Sequence, residues 1–338
     1  MKNKIIIVGG GLVGNIVAWQ LYLKGIDFIL FDEEVQSNSS KVAGGLYNSI
    51  VFKRFTQSWE ANKLISYLDE YYSRIENKLN TKIHYKKDIY KLIANKDEAE
   101  FWEKKSKENS EFMDENIYDL KLDDFIYENS GFGKVKQSGY LDTNLFINES
   151  KKYFTNINKY ISQKLNSELI NEYKINNKII FCEGYKGINN LYFPNLKFNF
   201  AKGEILDLKI EGLNIDYIIT KNIFILPLGN NIYRVGSTFE WDFKDDLPTE
   251  KQKINLIDNL KKILKVDFEI INHKAGIRPA TYDRRPFVGK SKFEENIFIL
   301  NGMGAKGVMI APYTSEILIN NIFNNIDIPD EINVKRCY

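Results

Sequence analysis

The chain has 338 residues, 43% of them hydrophobic and 27% charged, with a formal net charge of +2; this supports a large core in two domains and gives no field that would favour nucleic acid or a membrane surface. Two cysteines, Cys182 and Cys337, are too few for a disulfide framework. The basic start Met1-Lys2-Asn3-Lys4 is followed by too short an apolar run for a signal peptide, and no run of about 20 apolar residues exists for a membrane span, so a cytoplasmic protein is expected.

Lys4-Ile5-Ile6-Ile7-Val8 is a β-branched run that glycine ends, which suits a buried parallel strand. Gly9-Gly10-Gly11-Leu12-Val13-Gly14 follows, with glycines 9, 11 and 14 in G-x-G-x-x-G spacing. The first glycine permits a tight turn, the second lets backbone approach a pyrophosphate, and the third lets the next helix pack on the strand. That helix, from Asn15 to Leu21, turns free N–H groups and a partial positive charge toward phosphates. A second strand over 26–31 ends at Asp32, 18 residues after Gly14, where a carboxylate accepts from ribose hydroxyls; Glu33 sits beside it.

Ser39 to Asn48 forms a second small, polar loop containing Ser40, Ala43, Gly44 and Gly45, suited to run beside a cofactor. The spacing of Leu64, Leu68, Tyr71, Ile75 and Leu79 predicts one amphipathic helix from about Trp59. Ile83 to Ile93 reads as strand, Lys96 to Glu115 as a solvated helix, and Ser138 to Asp142 as a turn before a helix ending near Phe154. Lys178 to Glu183 is strand running into Gly184. From Lys202 the pattern becomes an antiparallel meander, with short runs at 205–210, 217–220, 223–227 and 232–239. Thr249 and Gln252 predict a capping box for a helix to about Leu264. The chain returns through Ala275 to Pro279 to a strand over 296–300, the loop Asn301 to Met309, and a last helix from about Val308 to Ile322.

The combination of the dinucleotide motif, the Ala43-Gly44-Gly45 loop, Gly276-Ile277-Arg278-Pro279 with Asp283-Arg284-Arg285-Pro286-Phe287-Val288-Gly289, and Asn301-Gly302-Met303-Gly304-Ala305-Lys306-Gly307-Val308-Met309-Ile310-Ala311-Pro312 resembles the FAD-dependent D-amino acid oxidase family. That family includes glycine oxidase, sarcosine oxidase and the oxidase half of a bifunctional tRNA wobble-uridine enzyme. The resemblance implies that Gly9, Gly11, Leu12, Val13 and Gly14 line the FAD pyrophosphate, with Asp32 and Glu33 at the ribose. Ser40, Ala43, Gly44, Gly45 and Gly184 would follow the cofactor toward the flavin, and Gly302, Gly304, Ala305, Lys306, Gly307, Val308 and Met309 would lie against the isoalloxazine. Arg278 stands where the family grips the substrate carboxylate, and a guanidinium fork matches a carboxylate bidentately. The helix after Gly307 would aim its positive end at the reduced flavin, with Lys306 adding a full charge. Neither cysteine is placed to tether a flavin as in sarcosine oxidases, so non-covalent FAD is expected. The fused methyltransferase of the tRNA enzyme and the cysteine pair of disulfide reductases are not found in the sequence.

The resemblance implies an α/β fold: a Rossmann-like FAD-binding domain (1–80, 140–195 and 270–338) and a second α+β domain on an antiparallel sheet (81–139 and 196–269), with the substrate between them. The expected reaction is oxidation of the C–N bond of a small amine or amino acid by hydride transfer to flavin N5, with oxygen giving peroxide; Arg278 and Lys306 are the catalytic candidates. The partner expected is that small molecule, with no nucleic acid, membrane or metal, and the sequence assigns no oligomeric state. An FAD-dependent 2-hydroxy-acid dehydrogenase on the same fold would want a base for the hydroxyl proton; a flavin-binding protein with no turnover is the non-enzymatic rival. His84 and His273 read as structural, Arg284 and Arg285 as structural or rim charges, and Tyr217, Tyr233 and Tyr282 as candidates for the pocket wall.

Overall fold

In the computed structural model, residues 4–33, 39–122, 124–127 and 130–338 are described; Met1, Lys2 and Asn3 of the basic start lie outside them. The first sheet has six strands in the order Tyr160–Ser162, Phe28–Asp32, Ile5–Val8, Lys178–Phe181, Ile297–Asn301, Phe287–Lys290. The first five run parallel, and the last pairs antiparallel with Ile297–Asn301. Alternation sorts the side chains of each strand onto opposite faces. Ile5, Ile7, Phe28, Leu30 and Ile180 pack under the helices Leu12–Leu23, Ala61–Leu79, Thr143–Asn156 and Gly307–Asn324. Ile6, Ile29, Phe31, Ile179 and Phe181 pack the other way, against Ile170, Phe193 and Val334. Both faces are therefore buried, as the β-branched runs require.

The second sheet has eight strands in the order Glu269–Arg278, Ala201–Lys209, Ile232–Gly236, Phe224–Gly229, Ile218–Thr220, Ile89–Leu92, Phe132–Val135, Met113–Tyr118. All neighbours are antiparallel except the parallel pair Ile218–Thr220 and Ile89–Leu92. Leu206, Leu208, Ile225 and Val235 form a second core with Leu256 and Leu260 of the helix Glu250–Lys261. The opposite face, through Gly203, Ile205 and Phe224, borders a cleft above the carboxyl ends of the first sheet.

Several sequence readings need correction. The strand expected over 83–93 is two strands: His84–Lys86 pairs with Gly139–Leu141, and the chain then crosses to the larger sheet at Ile89–Leu92. The helix from Lys96 ends at Glu108 and is not wholly solvated, because Trp102 is fully buried against Gly133; Met113–Tyr118 is strand. The boundary at 270 falls inside the strand Glu269–Arg278, which pairs with Ala201–Lys209 along its length; we propose a division just after Arg278 instead. Thr249 caps its helix through Oγ1, which accepts from Gln252 N at 3.3 Å, but its own N–H donates to the Glu204 carboxylate at 3.0 Å rather than to Gln252.

Candidate active site

The cleft opens where the strand order turns back on itself, between Ile5–Val8 and Lys178–Phe181, the switch-point position for ligands in parallel sheets. Gly9 has φ +106°, and a Cβ there would lie 2.6 Å from Cys182 O, so glycine is required. A Cβ on Gly14 would lie 1.8 Å from Gly9 O; its absence lets the helix Leu12–Leu23 close on the strand. Gly11 differs, since a Cβ there would meet only the end of the Ser40 side chain, at 3.3 Å. The chain's own packing does not demand glycine there, whereas close approach by a phosphate does. Gly11 gives the helix no side-chain cap, and Leu12 N donates to Ser40 Oγ at 3.0 Å. Asn15, fully buried, braces the turn from beneath through Nδ2 to Gly10 O at 2.7 Å and Gly11 O at 3.0 Å.

At one end of the cleft, Asp32 accepts from Gly10 N at 3.0 Å and from the Tyr160 hydroxyl at 3.1 Å, which fixes its carboxylate at the cleft wall. Glu33 pairs with Lys186 at 3.0 Å and Lys164 at 3.5 Å; the Lys186 bond foremost holds its carboxyl below the usual range. Glu183, beside them, accepts from Asn190 at 2.7 Å, and burial pushes its carboxyl up.

At the other end, Gly45 has φ +69° and sits against Leu141 O, and Gly44 packs on the Phe224 ring of the second sheet. Arg234, paired with the buried Asp207 at 2.7 Å, reaches Ala43 O at 3.5 Å. The loop before the last helix is tied by Asn301, which donates to Gly184 O at 2.9 Å and accepts from Gly302 N at 2.7 Å. Arg278 leans across Gly203, where a Cβ would lie 1.9 Å from the guanidinium. Its Nη2 donates to Thr238 O at 3.1 Å, and its Cζ lies 4.1 Å from the Phe239 ring centroid. Its Nη1 is enclosed and has no hydrogen-bond partner, and Arg278 forms no ion pair among the described residues. Burial lowers its pKa to about 10.

Of the residues the sequence singles out, Gly9, Gly11, Leu12, Val13, Asp32, Glu33, Ser40, Ala43, Gly44, Gly45, Gly184, Arg278, Gly304, Ala305, Gly307 and Val308 line this one cleft. Gly14, Gly302, Lys306 and Met309 do not. Gly14 serves helix packing, Gly302 with φ +80° lies against Thr281, and Met309 is core. Lys306 turns its ammonium to Ser58 Oγ and, at 3.4 Å, Asn48 O; burial lowers its pKa to about 8. None of the three tyrosines lines the cleft: Tyr233 donates to Leu213 O in the second core, Tyr217 packs on Tyr90, and Tyr282 is exposed. His84 meets the Tyr47 hydroxyl at 2.8 Å and His273 meets Glu204 at 2.7 Å, both outside the cleft lining. Sequence reasoning missed Asn15, Tyr160, Glu183, Gly203 and Asn301; of these, Asn15, Glu183 and Asn301 sit within stretches already noticed.

The family model for FAD-dependent oxidoreductases of the DAO type matches residues 4–126 and 163–320. The chain belongs to this family. Its cofactor is FAD, and we propose that the cleft described above holds it, with Gly11 open toward a phosphate and the fixed Asp32 carboxylate toward the ribose. Among curated relatives, the tRNA 5-methylaminomethyl-2-thiouridine biosynthesis bifunctional protein of Campylobacter jejuni is 21% identical over 306 residues, which are 86% of this chain and 47% of that protein. The chain thus spans about half the length of that relative. Among solved structures, glycine oxidase from Geobacillus kaustophilus superposes with a TM-score of 0.78 at 15% identity, over 97% of this chain and 96% of that one. Iminodiacetate oxidase from Chelativorans gives 0.76 at 15% identity, over 98% of each. The chain is thus a DAO-family oxidoreductase with the fold of those oxidases, and no helix among the described residues is long and apolar enough to cross a membrane.

Proposed function

We propose that this chain oxidises the carbon–nitrogen bond of a small carboxylate-bearing amine or amino acid, with oxygen as final acceptor and peroxide as product. The observation that carries the reading is Arg278, a fixed cation enclosed at one end of the FAD cleft with Nη1 unpartnered and no carboxylate among the described residues in an ion pair with it. Enclosing a charge without a partner is costly, and a bidentate carboxylate ligand removes that cost.

Bound FAD supplies a two-electron acceptor that takes hydride from the carbon bearing the nitrogen. The chain's residues do the rest. Arg278 holds the carboxylate, Gly203 leaves room for the guanidinium, and Leu46, Ile205, Phe224 and Met303 line the cleft with apolar surface that excludes water. The other charged side chains of the cleft, Asp32, Glu33, Glu183, Lys164 and Lys186, gather around Glu33 at the ribose end. No base therefore stands beside Arg278 among the described lining residues, so the amine arrives neutral. The nitrogen lone pair assists C–H loss, and water then splits the imine to a carbonyl compound and an amine. A hydroxy acid would need the base that is missing, which ranks the 2-hydroxy-acid reading second. We assign Lys306 a supporting role: it anchors the Asn48–Ser58 segment and sets a buried positive charge between the cleft residues Ala305 and Gly307. Two unpaired cysteines suit a reducing cytoplasm.

A second reading, carried by the match to the Campylobacter protein across 86% of this chain, is that a tRNA bears the amine. A peroxide assay with amines, N-methyl amino acids, hydroxy acids and total tRNA separates these. Peroxide from a carboxylate-bearing amine, abolished in Arg278→Ala, supports the first reading. Peroxide from hydroxy acids alone, or from tRNA alone, overturns it.

A further inference from the structure

The segment after Thr238 runs beside the strand Ala201–Lys209. Glu240 and Lys202 exchange backbone hydrogen bonds at 2.8 and 2.9 Å in an antiparallel bridge. Side chains alternate along such a segment. Glu240 therefore shares the face of Lys202, and it reaches Lys251 of the flanking helix at 3.5 Å. Phe239 and Trp241 are thrown to the opposite face, which carries Gly203 and, across from Ala201, Arg278. Phe239 duly covers the guanidinium, its centroid 4.1 Å from Cζ. Trp241 continues the aromatic surface outward, 6.4 Å from Phe239 and tilted by 31°. Yet Phe239 is 52% and Trp241 65% exposed. Two large rings in contact, open to water and continuous with a cation whose enclosed Nη1 lacks a hydrogen-bond partner, mark a ligand surface rather than a scattered apolar residue.

We propose that Phe239 and Trp241 form a stacking platform for a planar, uncharged ring on the substrate, so that the preferred amine carries both a carboxylate for Arg278 and an aromatic or heteroaromatic substituent. This rests on the amine-oxidising reading and deepens it. With the carboxylate held at Arg278, a ring on the amine nitrogen or side chain extends along the rim and covers the exposed indole. Among the described residues the cation found against these rings is Arg278, which the substrate carboxylate occupies, so a phosphate or sulfonate on the ring gains no counter-charge there.

The test uses the FAD-loaded full chain and redox-inert acids: acetate, phenylacetate and 4-sulfophenylacetate. Binding is read from perturbation of the flavin spectrum and from tryptophan fluorescence, and the same variants are assayed with N-methylglycine and N-benzylglycine. Phenylacetate is expected to bind about 2- to 12-fold tighter than acetate, the range that one aromatic contact supplies beyond its area. Trp241→Ala should remove that margin and leave acetate binding and N-methylglycine turnover unchanged; Trp241→Phe should restore most of it. Equal loss for acetate and phenylacetate in Trp241→Ala, no loss for either, or tighter binding of the sulfonated acid would each overturn the platform. Those results leave the amine-oxidising reading standing if N-methylglycine still reduces the flavin, so the two failures are distinguishable.

Discussion

Replacing Arg278 with Met keeps the bulk of the side chain and removes its charge, and the structure predicts opposite effects on stability and on catalysis. Burial lowers the guanidinium pKa from 12.5 to about 10. A cation whose folded pKa lies below its unfolded value is penalised in the folded state at every pH below the folded pKa. Here that penalty is about 3 kcal/mol at neutral pH. Methionine removes it. The variant loses the hydrogen bond to Thr238 O, worth about 1 kcal/mol, and the stacking on Phe239, worth about 1–2 kcal/mol. The melting temperature without substrate should therefore hold or rise by a few degrees. Function goes the other way. Losing one member of a buried, hydrogen-bonded charge pair costs about 2–5 kcal/mol, so kcat/KM for carboxylate-bearing amines should fall by about one and a half to three and a half orders of magnitude. Amines without a carboxylate should lose far less. Calorimetry and anaerobic stopped-flow on the same preparation give both numbers. A variant that melts many degrees lower, or that keeps its kcat/KM for carboxylate substrates, would contradict a carboxylate-binding role for Arg278.

Gly14→Ala drives a Cβ to 1.8 Å from Gly9 O, so the helix must lift from its strand. A loss of about 1–3 kcal/mol in stability and weakened FAD retention on dialysis are expected, and an unchanged FAD Kd would contradict the geometry. His84 is buried beside Tyr47, and burial lowers its pKa to about 4. The unfolded chain therefore binds the proton first, and stability should rise with pH between about 4 and 6.5, by up to about 3 kcal/mol. His84→Phe should flatten that part of a urea-denaturation pH series; an unchanged slope would assign it to other groups. Cys182 is buried, with its thiol pKa pushed up by burial, and Cys337 lies beyond the last helix. Acid precipitation should release the flavin to the supernatant; yellow colour in the pellet would show a covalent tether.

What the sequence disclosed was local. Strand, glycine turn, helix and acidic strand end lie within 30 residues, and their meaning follows from backbone sterics and the helix end. The meander after Lys202 was legible for the same reason, as alternation between turns. Partners fixed by long-range pairing were not: Tyr160 reaches Asp32 across 128 residues, and Asn301 reaches Gly184 across 117. The strand Glu269–Arg278 was missed because its outer half is polar and its identity comes from nine-residue pairing with Ala201–Lys209. Lys306 shows the limit of adjacency. Its neighbours line the cleft, but its side chain turns to the Asn48–Ser58 segment, which spacing along the loop cannot reveal. Arg278 entered through resemblance, and its lack of a protein partner became visible only with the fold.

The central claim is that FAD in this cleft accepts electrons from a carboxylate-bearing amine. Its most direct test is the absorption spectrum of the purified FAD-loaded protein before and after anaerobic addition of amino acids and N-methyl amino acids. The account predicts an oxidised-flavin spectrum that bleaches with a carboxylate-bearing amine, and not with the matching hydroxy acid. A flavin that hydroxy acids bleach and amines do not, or that none of these compounds reduces, would contradict it.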